Sequence, residues 1–166
     1  MIISIPVNKN NIRVVMDKYG PIIEKAIKDQ MANDSEMEYP KRNASGRTAA
    51  SIKAKTFDGR ETIGIEIAGR YGFKFLHTGR RPGAKPPPVS VIEDWMMKKG
   101  IAPKYGSIKK SAGTIAFFIG KHGFKGSNIF GKAMNKVIKR LLPETSEAYI
   151  KDIEEHIKES TKYARG

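Results

Sequence analysis

Apolar residues between positions 10 and 33 recur at steps of three and four: Ile12, Val15, Met16, Tyr19, Ile22, Ile23, Ala26, Ile27 and Met31. That spacing predicts an amphipathic helix over 10–33, with Asn10 or Asn11 as its cap. The stripe keeps its phase across Gly20-Pro21, so it predicts one helix bent at the proline, not two. A helix of this length with one apolar face needs a second layer to cover it.

Past a polar, basic stretch at 38–47, which reads as mobile, the period changes to two. Ile52, Ala54 and Thr56 alternate with Lys53 and Lys55; Ile63, Ile65 and Ile67 alternate with Gly64 and Glu66; Phe73 and Phe75 flank Lys74. These are three half-buried strands joined at Asp58-Gly59 and Gly69-Arg70, an antiparallel meander. The apolar residues 1–7 lack a basic leader and meet Asn8-Lys9-Asn10-Asn11, a further strand and not a signal peptide.

The proline-rich and glycine-rich run at 78–88 cannot continue a central strand and is a stiff basic loop. Ser90 and Glu93 form a capping box that starts a short helix through Trp95, ending at Lys98-Lys99-Gly100. Ile108, Ala112, Ile115, Ala116 and Ile119 predict a helix, although Phe117-Phe118 fits a strand equally well. Ile129, Ala133, Val137 and Leu141 predict another that Pro143 ends, and a last helix begins near Thr145. The expected fold class is α+β: an antiparallel three- to four-stranded sheet packed against an N-terminal helix and C-terminal helices. Residues 1–142 form the domain, and 143–166 a helical extension on the same domain or on a neighbouring subunit.

With 166 residues, 39% of them hydrophobic, the chain supports a core without covalent staples. It has no cysteine, which excludes disulfide scaffolds, thiolate metal sites and cysteine nucleophiles. Its longest aliphatic and aromatic run, Ile115 to Ile119, is far short of the about 20 residues that span a bilayer.

The formal charge is +14, and its placement is uneven. Residues 67–143 hold 16 Lys/Arg against two acids, Glu93 and Asp94, whereas the rest of the chain is balanced at 15 and 15. Such a segment attracts phosphate or an acidic protein surface.

Motifs for chemistry are sparse. Gly126-Ser-Asn-Ile-Phe-Gly131-Lys132-Ala133 has phosphate-loop spacing but ends in alanine, which has no hydroxyl for magnesium. Gly120-Lys-His-Gly123 resembles the Gly-x-x-Gly clamp of KH domains. His77, His122 and His156 stand far apart with no ligand spacing, and Glu93, Asp94, Asp58 and Glu61 sit where dipoles and turns want acids. Aromatics interleave with cations from Arg70 to Arg81, where bases could stack, although a core strand has the same pattern.

Taken in order, several pieces form a pattern: Ser45-Gly-Arg-Thr-Ala-Ala-Ser-Ile52, then Tyr71-Gly-Phe-Lys-Phe-Leu-His-Thr-Gly79, the proline loop, the Trp95 helix, and Gly123-Phe-Lys-Gly-Ser-Asn-Ile-Phe130-Gly-Lys-Ala133. Over roughly residues 10–142 this order resembles the neck or tail-completion (head-to-tail joining) proteins of tailed bacteriophages. Thr48 or Ala49 stands where that family has leucine, and Arg80-Arg81 where threonine follows the glycine. The resemblance implies a non-enzymatic virion subunit, assembled in the bacterial host cytoplasm. It implies a homo-oligomeric ring, sixfold or twelvefold, around double-stranded DNA, touching portal, adaptor or head-closure proteins and tail proteins. The expected contact residues are Arg70, Lys74, Arg80, Arg81, Lys85, Lys121 and Lys125. No catalytic, cofactor or metal role is expected of any residue, and no membrane contact. The alternative function is a nucleic-acid-binding module that uses the 67–143 surface and the KH-like loop.

Overall fold

The computed structural model describes residues 9–33, 46–59 and 62–163. The strand expected over 1–7, most of the 38–47 stretch and Glu61 lie outside them. The elements are α1 (Asn10–Asn33), α2 (Arg47–Ala50), β1 (Lys53–Asp58), β2 (Ile63–Ala68), α3 (Gly72–Thr78), β3 (Gly79–Arg80), α4 (Val89–Lys99), α5 (Ile108–His122), β4 (Phe124–Lys125) and α6 (Ile129–Tyr163). The chain is therefore a mixture of helix and antiparallel strand. It divides into two compact units, one of Met1–Ala26, Lys53–Ala68 and Ala133–Gly166, the other of Ile27–Ile52 and Gly69–Lys132.

In the first unit β1 and β2 pair antiparallel from Lys53 opposite Ala68 to Asp58 opposite Ile63, as the period-two pattern predicts. Ile63 and Ile65 pack with Val15 against buried Ile12, Met16 and Ala148, so α1, the hairpin and α6 share one core. The Glu24 carboxylate accepts the outward N–H of Ala54 at 3.1 Å, which satisfies a donor on the β1 edge.

The α1 helix runs unbroken through Pro21, as the phase of its stripe requires. Its cap differs from expectation. Asn10 is already helical, and the donors of the first turn go to Asp152 of α6: Asn11 N to Oδ1 at 2.9 Å and Ile12 N to Oδ2 at 3.0 Å. Asp152 is completely buried, so a distant carboxylate takes the place of a local asparagine side chain as cap.

Pro143 does not end its helix: α6 continues through it for 35 residues in all. The proline removes one backbone donor, and in the turn that follows Thr145 Oγ1 and Ser146 Oγ donate to the carbonyls of Leu141 and Leu142 at 2.8 and 3.0 Å. Contacts beyond the proline fix the continuation. Glu144 accepts from Lys18 Nζ at 2.6 Å and from Tyr19 Oη at 2.8 Å, and Asp152 caps α1 one turn past the core residue Ala148.

The second unit overturns the larger sheet. Residues 72–78, expected as a third strand, form α3, and the only other pairing among the described residues is β3 with β4, two residues each. The reason lies in the aromatic spacing, which serves a helix as well as a strand: Tyr71 meets Phe75 edge to face at 5.1 Å, and Phe73 stacks on His77 at 6.3 Å, both four residues apart. The Ser90–Glu93 capping box also fails to form. The helix α4 begins earlier, at Val89, because Pro88 sits at its cap with its carbonyl accepting from Val91 N at 3.1 Å. Its other end is as expected, with Gly100 left-handed at φ 62°.

The helix expected from Ile108 onward is α5, capped by Ser107, whose side chain accepts from Lys110 N at 3.2 Å. Ile92 and Met96 of α4 pack with Ala112 and Ala116 of α5, ringed by Trp95, Ile101, Ile115 and Ile119. This periodicity decides Phe117-Phe118: both are helical, and both are exposed. No helix among the described residues is long and apolar enough to cross a membrane.

Candidate functional site

Of the glycines that suggested phosphate or nucleic-acid loops, Gly120, Gly123 and Gly126 are used up in packing two backbone segments, 77–86 and 120–126, against each other. A Cβ built on Gly79 would lie 2.3 Å from the carbonyl oxygen of Phe124, and one on Gly126 would lie 2.3 Å from that of His77. At Gly123 the same atom would be 2.1 Å from the Arg80 carbonyl, and at Gly120 it would be 2.7 Å from Pro86 Cγ. None of these four positions has room for a side chain. Gly123 and Gly79 also adopt positive φ, 64° and 78°.

The donors of the phosphate-loop motif are spent as well. Ser127 N donates to the Leu76 carbonyl at 3.0 Å and Asn128 N to that of His77 at 3.1 Å, so these amides point into the protein's own backbone. Phe130 N, at the start of α6, donates to His77 Nδ1 at 3.4 Å, while the His77 ring stands edge to face against Phe130 at 6.2 Å. That bond requires an unprotonated Nδ1, which gives His77 a structural task. His122 stacks on Phe118 at 5.7 Å, and His156 lies 3.4 Å from Ser160 Oγ. Among the described residues no three histidine or carboxylate side chains converge as metal ligands.

The clasp fixes where five of the seven expected contact cations lie. Arg80 is in β3 and Lys125 in β4, paired strands whose register sets Gly79 opposite Lys125 and Arg80 opposite Phe124. Arg81 and Lys85 belong to the loop that follows, and Gly83 N ties that loop to the Lys121 carbonyl at 3.3 Å. The Arg80 guanidinium lies 4.2 Å over the Phe75 ring and donates to the carbonyl of Lys85, which braces the loop from within. Lys74 is exposed on α3, and Arg70 is exposed just before it, its N–H held by Ser51 Oγ at 2.9 Å. Arg81, Lys85, Lys121 and Lys125 are all exposed.

All seven cations fall in the unit of residues 27–52 and 69–132, which carries 17 Lys/Arg against 6 Asp/Glu, whereas the other unit carries 14 against 11. Asp94 is held below the ordinary carboxylate range by the Lys98 ammonium and, more weakly, by Arg47, whose Nη2 lies 2.6 Å away. Two shallow concavities of about 250 and 310 Å³ lie in the other unit, lined by Asn11, Val14 and Glu144 and by Lys53, Lys55 and Glu66.

Sequence reasoning missed two features of the structure. Asp152 could not be found, since its partners lie about 140 residues away in the chain. The exposed pair Phe117-Phe118 left a signal, because it falls off the apolar stripe of α5. Comparison with protein-family models, with curated proteins and with solved structures gives no match.

Proposed function

We propose that this chain is a structural subunit of the head-to-tail junction of a tailed bacteriophage, a non-enzymatic virion protein that assembles as a ring around the DNA channel. The order of sequence motifs between Ser45 and Ala133 is the ground for the family. The observation that carries the physical case is the clasped loop, in which a backbone anchor presents Arg81, Lys85 and Lys125 while Arg80 braces the loop from within. A braced basic surface binds a phosphate chain without sequence readout, which is what a channel for passing DNA requires.

The test has two parts. Sedimentation of the purified chain, alone and with portal or tail-tube protein, should give a closed oligomer. In particles reconstituted with Arg80→Ala, Arg81→Ala and Lys85→Ala together, DNA retention or head-to-tail joining should fall. A monomer that stays alone with both partners, or a triple variant that joins and retains DNA like the parent, would overturn the proposal.

A further inference from the structure

We propose, resting on that reading, that copies of this chain join through one heterologous contact: the distal half of α6 from one copy lies on the exposed face of α5 of the next. From Leu142 onward the face of α6 turned away from its own core is apolar and uncovered. Leu142, Tyr149, Ile150, Ile153 and Ile157 are 61, 48, 56, 38 and 56% exposed, whereas Ala148 and Asp152 on the opposite face are buried. The exposed residues recur at helical spacing over about 22 Å, a length typical of helix-to-helix docking and beyond what scattered surface residues form.

The α5 helix carries the matching surface. Its buried stripe is Ala112, Ala116 and Gly120, and its outer face sets Phe117 and Phe118, 58 and 50% exposed, between Lys110 and Lys121. Charge selects the occupant. Within residues 144–163 of α6, Glu144 pairs with Lys18 and Asp152 caps α1, and the remaining acids are Glu147, Glu154, Glu155 and Glu159 against three lysines, while α5 holds three lysines and no acid. In a chain of net charge +14 this half-helix is a local negative region, with exposed Glu147 and Glu154 flanking the apolar stripe.

An α6-on-α6 pairing would set acid against acid, and an α5-on-α5 pairing lysine against lysine. Of these three pairings, α6 on a neighbour's α5 is the one that joins apolar to apolar and negative to positive at once. Because the two surfaces differ, each copy offers one of each and the contact propagates from copy to copy.

Two variants test this, each checked for a native helical spectrum: Ile153→Glu with Ile157→Glu on α6, and Phe117→Ser with Phe118→Ser on α5. In analytical ultracentrifugation at micromolar concentration the parent chain should associate, and each variant alone should associate at least tenfold more weakly. Their equimolar mixture should form heterodimers and nothing larger, since only one intact pair of surfaces remains. A second arm reverses charge: Glu147→Lys with Glu154→Lys and Lys110→Glu with Lys121→Glu should each weaken association, and combining them in one chain should restore it. The contact is overturned if the parent stays monomeric, if either apolar variant associates like the parent, if the mixture forms no heterodimer, or if combined charge reversal restores nothing. Open filaments that depend on these residues uphold the contact and sink the ring, while a ring that survives every variant sinks the contact and keeps the ring.

Discussion

At the scale of single residues, the positions that matter most to the fold are those where the chain approaches itself at backbone distance. Asp152 is one. It is fully buried and takes the Asn11 and Ile12 amides and the Asn11 side-chain amide, the last at 2.9 Å. Replacing it with alanine leaves the two backbone donors without an acceptor, so Asp152→Ala should cost roughly 2 to 4 kcal/mol in urea unfolding. Asp152→Asn keeps one acceptor oxygen and should cost less. Gly126 is another such position, since its missing side chain lets the His77 carbonyl approach. Gly126→Ala should cost at least about 3 kcal/mol, because the obstructing atoms are backbone and cannot swing aside. Gly113 serves as the contrast: it lies inside α5 with open space where a Cβ would go. Gly113→Ala should stabilise the protein by about 0.5 to 1 kcal/mol in the same assay.

Among elements, the link between α1 and α6 sets the response to pH. Hydrogen bonds from Lys18 and then Tyr19 hold the Glu144 carboxyl below its ordinary value of 4.5, so this link stabilises the fold above pH 4.5 and is lost as pH falls through the lowered folded value. Burial, followed by the Glu144 bond, holds the Tyr19 phenol above 10.0, and the Glu144 bond holds Lys18 above 10.5. Their stabilisation is present below those values and lost as pH rises through the raised ones. Glu144→Gln should therefore lower stability at neutral pH and flatten the acid limb of a stability-against-pH curve relative to the parent. Helices α1 and α5 were legible in the sequence because each carries an apolar stripe longer than three turns, and the β1–β2 hairpin because its alternation is confirmed on both strands. The α3 helix was not. Over seven residues, aromatics two apart and four apart coexist, and burial elsewhere decides between them. Pro143 misled for a related reason: proline is a local stop signal, and the contacts that carry α6 past it come from Lys18 and Tyr19, more than 120 residues away. For the candidate site, the sequence located the cations but left the task of the glycines open. Close backbone approach is the common need of a phosphate loop and of a packed clasp, and only partners far along the chain tell them apart.

On the scale of the whole molecule, charge is partitioned between the two units, and that partition has a measurable signature. A chain whose +14 was spread evenly would lose affinity for DNA by similar amounts wherever three cations were removed. Here the unit of residues 27–52 and 69–132 holds 17 basic and 6 acidic residues, and the other holds 14 and 11. Three exposed lysines of the second group, Lys55, Lys151 and Lys158, stand among compensating acids such as Glu66, Glu147 and Glu154, so removing them leaves that surface near neutral. Arg80, Arg81 and Lys85 have no such neighbours in sequence, because Glu93 and Asp94 are the only acids between residues 67 and 143. Counterion release then makes the two triple alanine variants separable. Each phosphate that the protein no longer neutralises lowers the slope of log K against log salt by roughly 0.9, so the Arg80, Arg81 and Lys85 variant should flatten the slope by roughly 2 to 3 on short duplex DNA. The Lys55, Lys151 and Lys158 variant should leave the slope within about 0.5 of the parent's. Equal slopes for the two variants would mean that DNA meets the whole surface indifferently, and the clasped loop would then lose its claim to be the DNA-facing part of the protein.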